Sequence, residues 1–121
     1  MCRGATVSES TYYVYVIRCA DDSLYSGITT DVVRRMGEHR SKSPAAARYT
    51  RAHGATDLVG LWRCVGRSLA SRLEWRLHHM TRAQKLGLLD GPEGAGEEYE
   101  PVGEEERRRM WARSAGLASS E

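Results

Sequence analysis

The chain has 121 residues, with 18 Lys+Arg against 16 Asp+Glu and a formal net charge of +2. That length fits one domain of ordinary size. Hydrophobic residues make up 40% and charged residues 28%. This balance excludes a disordered chain, and no apolar run approaches the roughly 20 residues of a membrane helix. The small net charge hides a split. Residues 1–90 carry 14 basic and 8 acidic side chains, a net of +6, whereas residues 91–121 carry 4 basic and 8 acidic, a net of −4. The basic body is nearly all arginine, which grips phosphates with a planar fork of donors and so points to a polyanionic partner. The start, MCRGATVSES, has no apolar stretch behind its arginine, so no export signal is read and a cytoplasmic location is expected. Three widely spaced cysteines (Cys2, Cys19, Cys64) without a C-x-x-C pair predict reduced thiols rather than a zinc ribbon or redox motif.

Residues 1–10 are small and polar and are expected to be disordered. Tyr12-Tyr13-Val14-Tyr15-Val16-Ile17 is rich in aromatic and β-branched residues and nearly continuous in apolar character, which predicts a buried strand. Ala20-Asp21-Asp22-Ser23 is a turn signal and residues 24–28 read as a second strand, together an antiparallel hairpin. Gly27 inside that strand points to a close backbone approach or a bulge. Thr29-Thr30-Asp31 offers caps for a helix over residues 32–40. Residues 41–56 read as a loop, and residues 57–65 as a third strand. Leu69, Leu73, Leu77 and Met80 form the apolar stripe of a second helix. Thr81-x-x-Gln84 has the pattern of a capping box and predicts a last helix ending near Gly91-Pro92. The order β-β-α-β-α-α predicts an α+β fold: a small three-stranded antiparallel sheet flanked by helices, spanning residues 11–91. Residues 92–121 are expected to be an acidic, mobile tail, with residues 104–112 a candidate short helix.

Five polar or aromatic residues fall at telling intervals. Tyr15 and Tyr25 lie on the two strands of the hairpin, which can bring their phenols to one face. Arg35 and His39 are four apart on the first helix and share a side of it. Glu74 sits beside the Leu69/Leu73/Leu77 stripe, at the edge of a buried face, where a carboxylate needs a partner or a metal. A guanidinium, an imidazole and two phenols can bind a phosphate and handle protons, and a hard divalent ion wants the carboxylate. Taken singly, each has a plainer reading: a cross-strand aromatic pair, a solvated arginine, a surface histidine, an edge ion pair. Trp62 and Trp75 read as core or edge packing, and His78-His79 does not read as a metal site because adjacent helical residues point about 100° apart.

Tyr13-Val14-Tyr15, Tyr25-Ser26-Gly27, Arg35, His39 and Glu74, in this order, resemble the GIY-YIG nuclease domain over about residues 12–90. The likeness is to its small stand-alone bacterial members, which carry a later Y-T-R segment, here Tyr49-Thr50-Arg51. Tyr13 stands in place of the first glycine, and Val14 and Ser26 in place of the isoleucines. Ser26 is expected on a strand face turned away from the core. The resemblance implies a metal-dependent endonuclease that hydrolyses DNA phosphodiester bonds. It gives Tyr15 a part in deprotonating the attacking water, Tyr25 a part in the same hydrogen-bond network, and Arg35 a contact to the scissile phosphate. His39 becomes a proton relay or phosphate contact, and Glu74 the ligand of one divalent ion, Mg or Mn. A tyrosine of unperturbed pKa near 10 serves as a base only where a cation lowers that value.

Residues 34–51 add a basic stretch: Arg34, Arg40, Lys42, Arg48 and Arg51 join Arg35 against the single acid Glu38. With Tyr49 as a stacking ring, Thr50 between them and Gly27 nearby, these read as a substrate-binding surface for a nucleic-acid backbone. The expected partner is DNA, whether duplex, branched or single-stranded. A protein partner bound through the C-terminal tail is also expected, and no membrane. No helix-turn-helix or zinc-finger pattern is present, which favours a structure- or single-strand-directed role in repair or recombination over site-specific cutting. The alternative is a non-catalytic nucleic-acid-binding module or a protein-interaction domain.

Overall fold

The computed structural model describes residues 10–41 and 48–119, with the side chains of Arg51 and residues 117–119 outside the described set. Its first elements are β1 (Thr11–Cys19), β2 (Leu24–Thr29), α1 (Val32–Ser41), α2 (Arg48–His53) and β3 (Ala55–Val65). They are followed by α3 (Arg67–His78), α4 (Arg82–Asp90), a short 3-10 turn (Pro92–Ala95), β4 (Glu100–Pro101) and α5 (Glu104–Ser119). The α+β class is as expected. The sheet, however, has four strands rather than three, in the order β2-β1-β3-β4, with every pairing antiparallel.

β1 is a central strand, and alternation sends its residues to opposite faces. Val14 and Val16 pack with Trp62, Leu73 and Leu77, while Tyr15, Ile17 and Cys19 pack with Val32, Met36, Leu61 and Val102. Both faces are covered, which is why the strand reads as nearly continuous apolar sequence. Ser26 pairs with Val16 and is 3% exposed. It therefore lies inside the packed body, not on a face turned away from the core, because α3 lies against β2 on that side. The two described thiols, Cys19 and Cys64, are free and buried in different clusters.

The helices follow their local signals. Asp31 accepts a hydrogen bond from the Arg34 backbone N–H at the start of α1, and Val32, Met36 and His39 form its buried stripe. Thr81 and Gln84 make the expected capping box of α4. Inside the segment expected as a loop, residues 48–53 form the short helix α2.

The segment after Pro92 departs most from expectation. It packs against the body through β4 and α5. Tyr99 is buried and its hydroxyl donates to the Leu69 carbonyl at 2.7 Å. β4 adds a strand to β3 through Trp62↔Pro101 and Arg63↔Glu100, and the buried Val102 joins the Tyr15 face. α5 lies on α1. There Arg40 donates to the Trp111 carbonyl at 2.6 Å and to Ser114 Oγ at 3.2 Å, with its guanidinium 4.3 Å from the Trp111 ring. Scattered apolar residues, Tyr99, Val102, Met110 and Trp111, hold this acidic segment down. Arg40→Ala removes a charged donor from two acceptors and from an aromatic face. It should lower unfolding free energy in urea by about 1–3 kcal/mol; unchanged stability would show that α5 is not held this way.

Candidate active site

His39 is fully buried on α1 and hydrogen-bonded at both ring nitrogens. Nε2 lies 3.0 Å from the Tyr15 hydroxyl and Nδ1 lies 2.6 Å from Thr50 Oγ1. A neutral imidazole donates through one nitrogen and accepts through the other, and both hydroxyls can play either part. One polar chain thus ties β1, α1 and α2 together. Burial pushes the His39 pKa down to about 4, with the nearby Arg35 charge acting in the same direction. Burial also pushes Tyr15 up to about 12, against the opposing hydrogen bond and charge of Arg35 and with further upward pushes from Tyr25 and Glu74. At neutral pH both groups are uncharged.

Tyr15 is paired across the sheet with Gly27, and Tyr25 is two residues from Gly27 on the same face of β2. The phenols are therefore diagonal neighbours, and both meet His39 edge-on, with ring centroids 5.6 and 5.8 Å away. Gly27 makes room for this. A Cβ there would run into the Tyr15 hydroxyl and lie 2.6 Å from its Cζ. The close approach expected of this glycine is to the site's own tyrosine.

Arg35 hydrogen-bonds Tyr15 and forms a 2.6 Å ion pair with Glu38, which also takes Arg34 at 2.5 Å. Burial raises the Tyr25 pKa, with Arg35 pulling it down and Glu74 pushing it up. Glu74 therefore acts electrostatically on both phenols, although α3 packs on the opposite face of the sheet. Its side chain is part-exposed, with His78 Nε2 at 3.7 Å.

Of the five residues expected to carry chemistry, Tyr15 is thus linked to Arg35, His39, Tyr25 and Glu74, by hydrogen bond to the first two and electrostatically to the last two. The expected substrate-binding set divides. Arg34 and Arg48 are exposed at the surface. Lys42 and the Arg51 side chain lie outside the described residues. Arg40 is engaged by α5. Thr50 is fully buried and serves His39, so it positions the site rather than meeting substrate. Tyr49, expected to stack a base, is already stacked with Tyr25 at 5.5 Å and with His53 at 4.2 Å, and His53 Nδ1 is hydrogen-bonded to Asp21. The i, i+4 spacing of Tyr49 and His53 was the available signal for this stack, and the i, i+3 spacing of Arg35 and Glu38 for that pair. Trp75 is 60% exposed and stacks on His79, so it is not core. Among the described residues no three His, Cys, Asp or Glu side chains gather as a ready-made metal site.

Comparison with known proteins gives this fold a family. The model of the GIY-YIG catalytic domain matches residues 11–86, and the chain belongs to that family of nucleases. Two of its relatives are UPF0213 proteins. That of Desulfotalea psychrophila is 40% identical over 68% of this chain and 74% of its own length. That of Citrobacter koseri is 43% identical over 69% and 81%. The solution NMR structure of the UPF0213 protein BH0048 from Bacillus halodurans is 39% identical, covers 66% of this chain and 83% of its own, and has a TM-score of 0.44. β4 and α5 lie beyond the family match. No helix among the described residues is long and apolar enough to cross a membrane.

The depressed His39 value fixes the sign of a pH effect. The folded value lies below the unfolded one of about 6.5. The contribution of the neutral imidazole is complete above pH 6.5 and is lost as pH falls toward 4. NMR titration of the His39 ring should give a midpoint near 4; a midpoint near 6.5 would contradict its burial between Tyr15 and Thr50.

Proposed function

We propose that this protein is a metal-dependent endonuclease that hydrolyses DNA phosphodiester bonds, directed by substrate structure or by single strands, in repair or recombination. The observation that carries this reading is the Tyr15 phenol held between a buried neutral imidazole and the Arg35 guanidinium. In this reading Tyr15 helps take the proton of the attacking water, with Tyr25 supporting the network. Arg35 meets the scissile phosphate and leaves Glu38 to do so. His39 orients the Tyr15 hydroxyl and relays its proton. Phosphoryl transfer is mostly positioning and neutralisation of charge on the phosphate oxygens, which suits this donor set.

A divalent ion fits the residues present. Glu74 is accessible, and its negative charge raises both phenols, so a cation held there is placed to lower them. A site with one carboxylate suits Mg, which keeps several waters and takes substrate phosphate oxygens as ligands. Bound at Glu74, Mg or Mn would supply Lewis-acid neutralisation of the phosphate. At rest Tyr15 is a protonated phenol, so its use as a base depends on such a cation and on Arg35. Sequence-reading modules are missing from the sequence pattern, which supports structure-directed over site-specific cutting.

The test is cleavage of labelled single-stranded, duplex and branched DNA with Mg or Mn, beside Glu74→Gln and Tyr15→Phe. Each variant should cut at least about a hundredfold more slowly than the parent chain. Full activity in Glu74→Gln, or no cutting of any substrate by the parent chain, would overturn the reading; salt-sensitive binding without cutting would leave a non-catalytic module.

A further inference from the structure

We infer that Arg67, at the start of α3, binds a backbone phosphate a few steps along the strand from the scissile one, so that the substrate strand runs along a groove between α1 and α3. This rests on the nuclease reading above. The groove has a volume of about 360 Å³ and is lined by residues of four elements, among them Tyr12, Thr30, Arg34, Arg35, Glu38 and Arg67. Three guanidiniums face one carboxylate there. Glu38 is already engaged with both Arg34 and Arg35. Arg67 is exposed and forms no hydrogen bond or ion pair among the described residues. It is therefore the groove's uncompensated cation, and an exposed guanidinium without a carboxylate loses nothing when it takes a phosphate.

The position of Arg67 relates the groove to the chemistry. Arg67 and Glu74 are two turns apart on α3, so they share a side of that helix and lie about 10 Å apart along its axis. Across the groove stands Arg35, which touches Tyr15. A duplex strand whose scissile phosphate sits by Glu74 therefore has a phosphate about three steps along within reach of Arg67, since phosphates advance about 3.4 Å each along a duplex axis. This basic wall lies on α3, outside the stretch 34–51 in which the sequence concentrates its arginines. The chemistry recognised is the phosphodiester backbone and not base edges, because the lining presents guanidinium and hydroxyl donors of the kind that contact phosphate.

The test measures binding of the full chain to fluorescein-labelled single-stranded and branched DNA, by anisotropy in EDTA, from 50 to 200 mM salt. Arg67→Gln should bind several-fold more weakly, with the slope of log affinity against log salt reduced by about one. Arg67→Lys, which keeps the charge, should retain most of the slope. Arg108→Gln removes the same charge from α5 on the β3 side of the sheet and should leave the slope unchanged. An unchanged slope in Arg67→Gln, or an equal loss in Arg108→Gln, would overturn the assignment of Arg67 while the cleavage experiment stands independently. Absence of salt-dependent binding by the parent chain would overturn both readings. Circular dichroism confirms that each exposed-site variant is folded.

Discussion

The buried hydrogen-bond chain from Tyr15 through His39 to Thr50 is the constraint on which the site depends. A fully buried imidazole that lost either partner would leave an unsatisfied polar atom in an apolar interior, at a cost of about 1–3 kcal/mol. Both partners come from elsewhere in the chain, one from the central strand and one from the short helix α2. Satisfying His39 thus fixes α1 over the sheet and draws α2 onto it. Gly27 follows from the same constraint, since the Tyr15 ring lies where any side chain on that residue would have to go. The Tyr25–Tyr49–His53 stack extends the arrangement to the β1–β2 turn through Asp21.

The same chain of contacts explains the resting electrostatics. Burial keeps His39 neutral and Tyr15 protonated, so the site holds its positive charge on Arg35 and its negative charge on Glu38 and Glu74. Arg35 is shared between Tyr15 and Glu38, and in a nuclease that carboxylate would mark where substrate oxygens are to be exchanged in. The C-terminal segment contributes from behind. By gripping Arg40, one residue after His39, α5 braces the helix that carries both Arg35 and His39. The acidic segment is therefore a structural brace as well as one side of the chain's charge split.

Much of the fold was legible because its signals are local. The Tyr12–Ile17 run, the Val32/Met36/His39 spacing, the Leu69/Leu73/Leu77 stripe and the Thr81/Gln84 capping box each specify an element without help from distant residues. β4 was not legible, because Glu100–Pro101 has neither the length nor the composition of a strand and is held there by Tyr99, Val102 and the edge of β3. α2 was hidden because six residues of mixed polarity form a helix only when Thr50 and Tyr49 find His39 and Tyr25. In the site, Tyr15, Tyr25, Arg35, His39 and Glu74 could be named from order and spacing. The parts of Thr50 and Arg40 could not, since each depends on how one helix docks on another part of the fold. A buried threonine and an exposed one look alike in a basic stretch.

The central claim is that a buried polar chain organises the proposed nuclease site, and Thr50→Val tests it without touching any group proposed to meet substrate. The substitution keeps the shape and removes the hydroxyl from His39 Nδ1. Single-turnover cleavage of DNA at saturating enzyme should slow about ten- to hundredfold while DNA affinity is retained. A rate equal to that of the parent chain, in a folded variant, would contradict the claim.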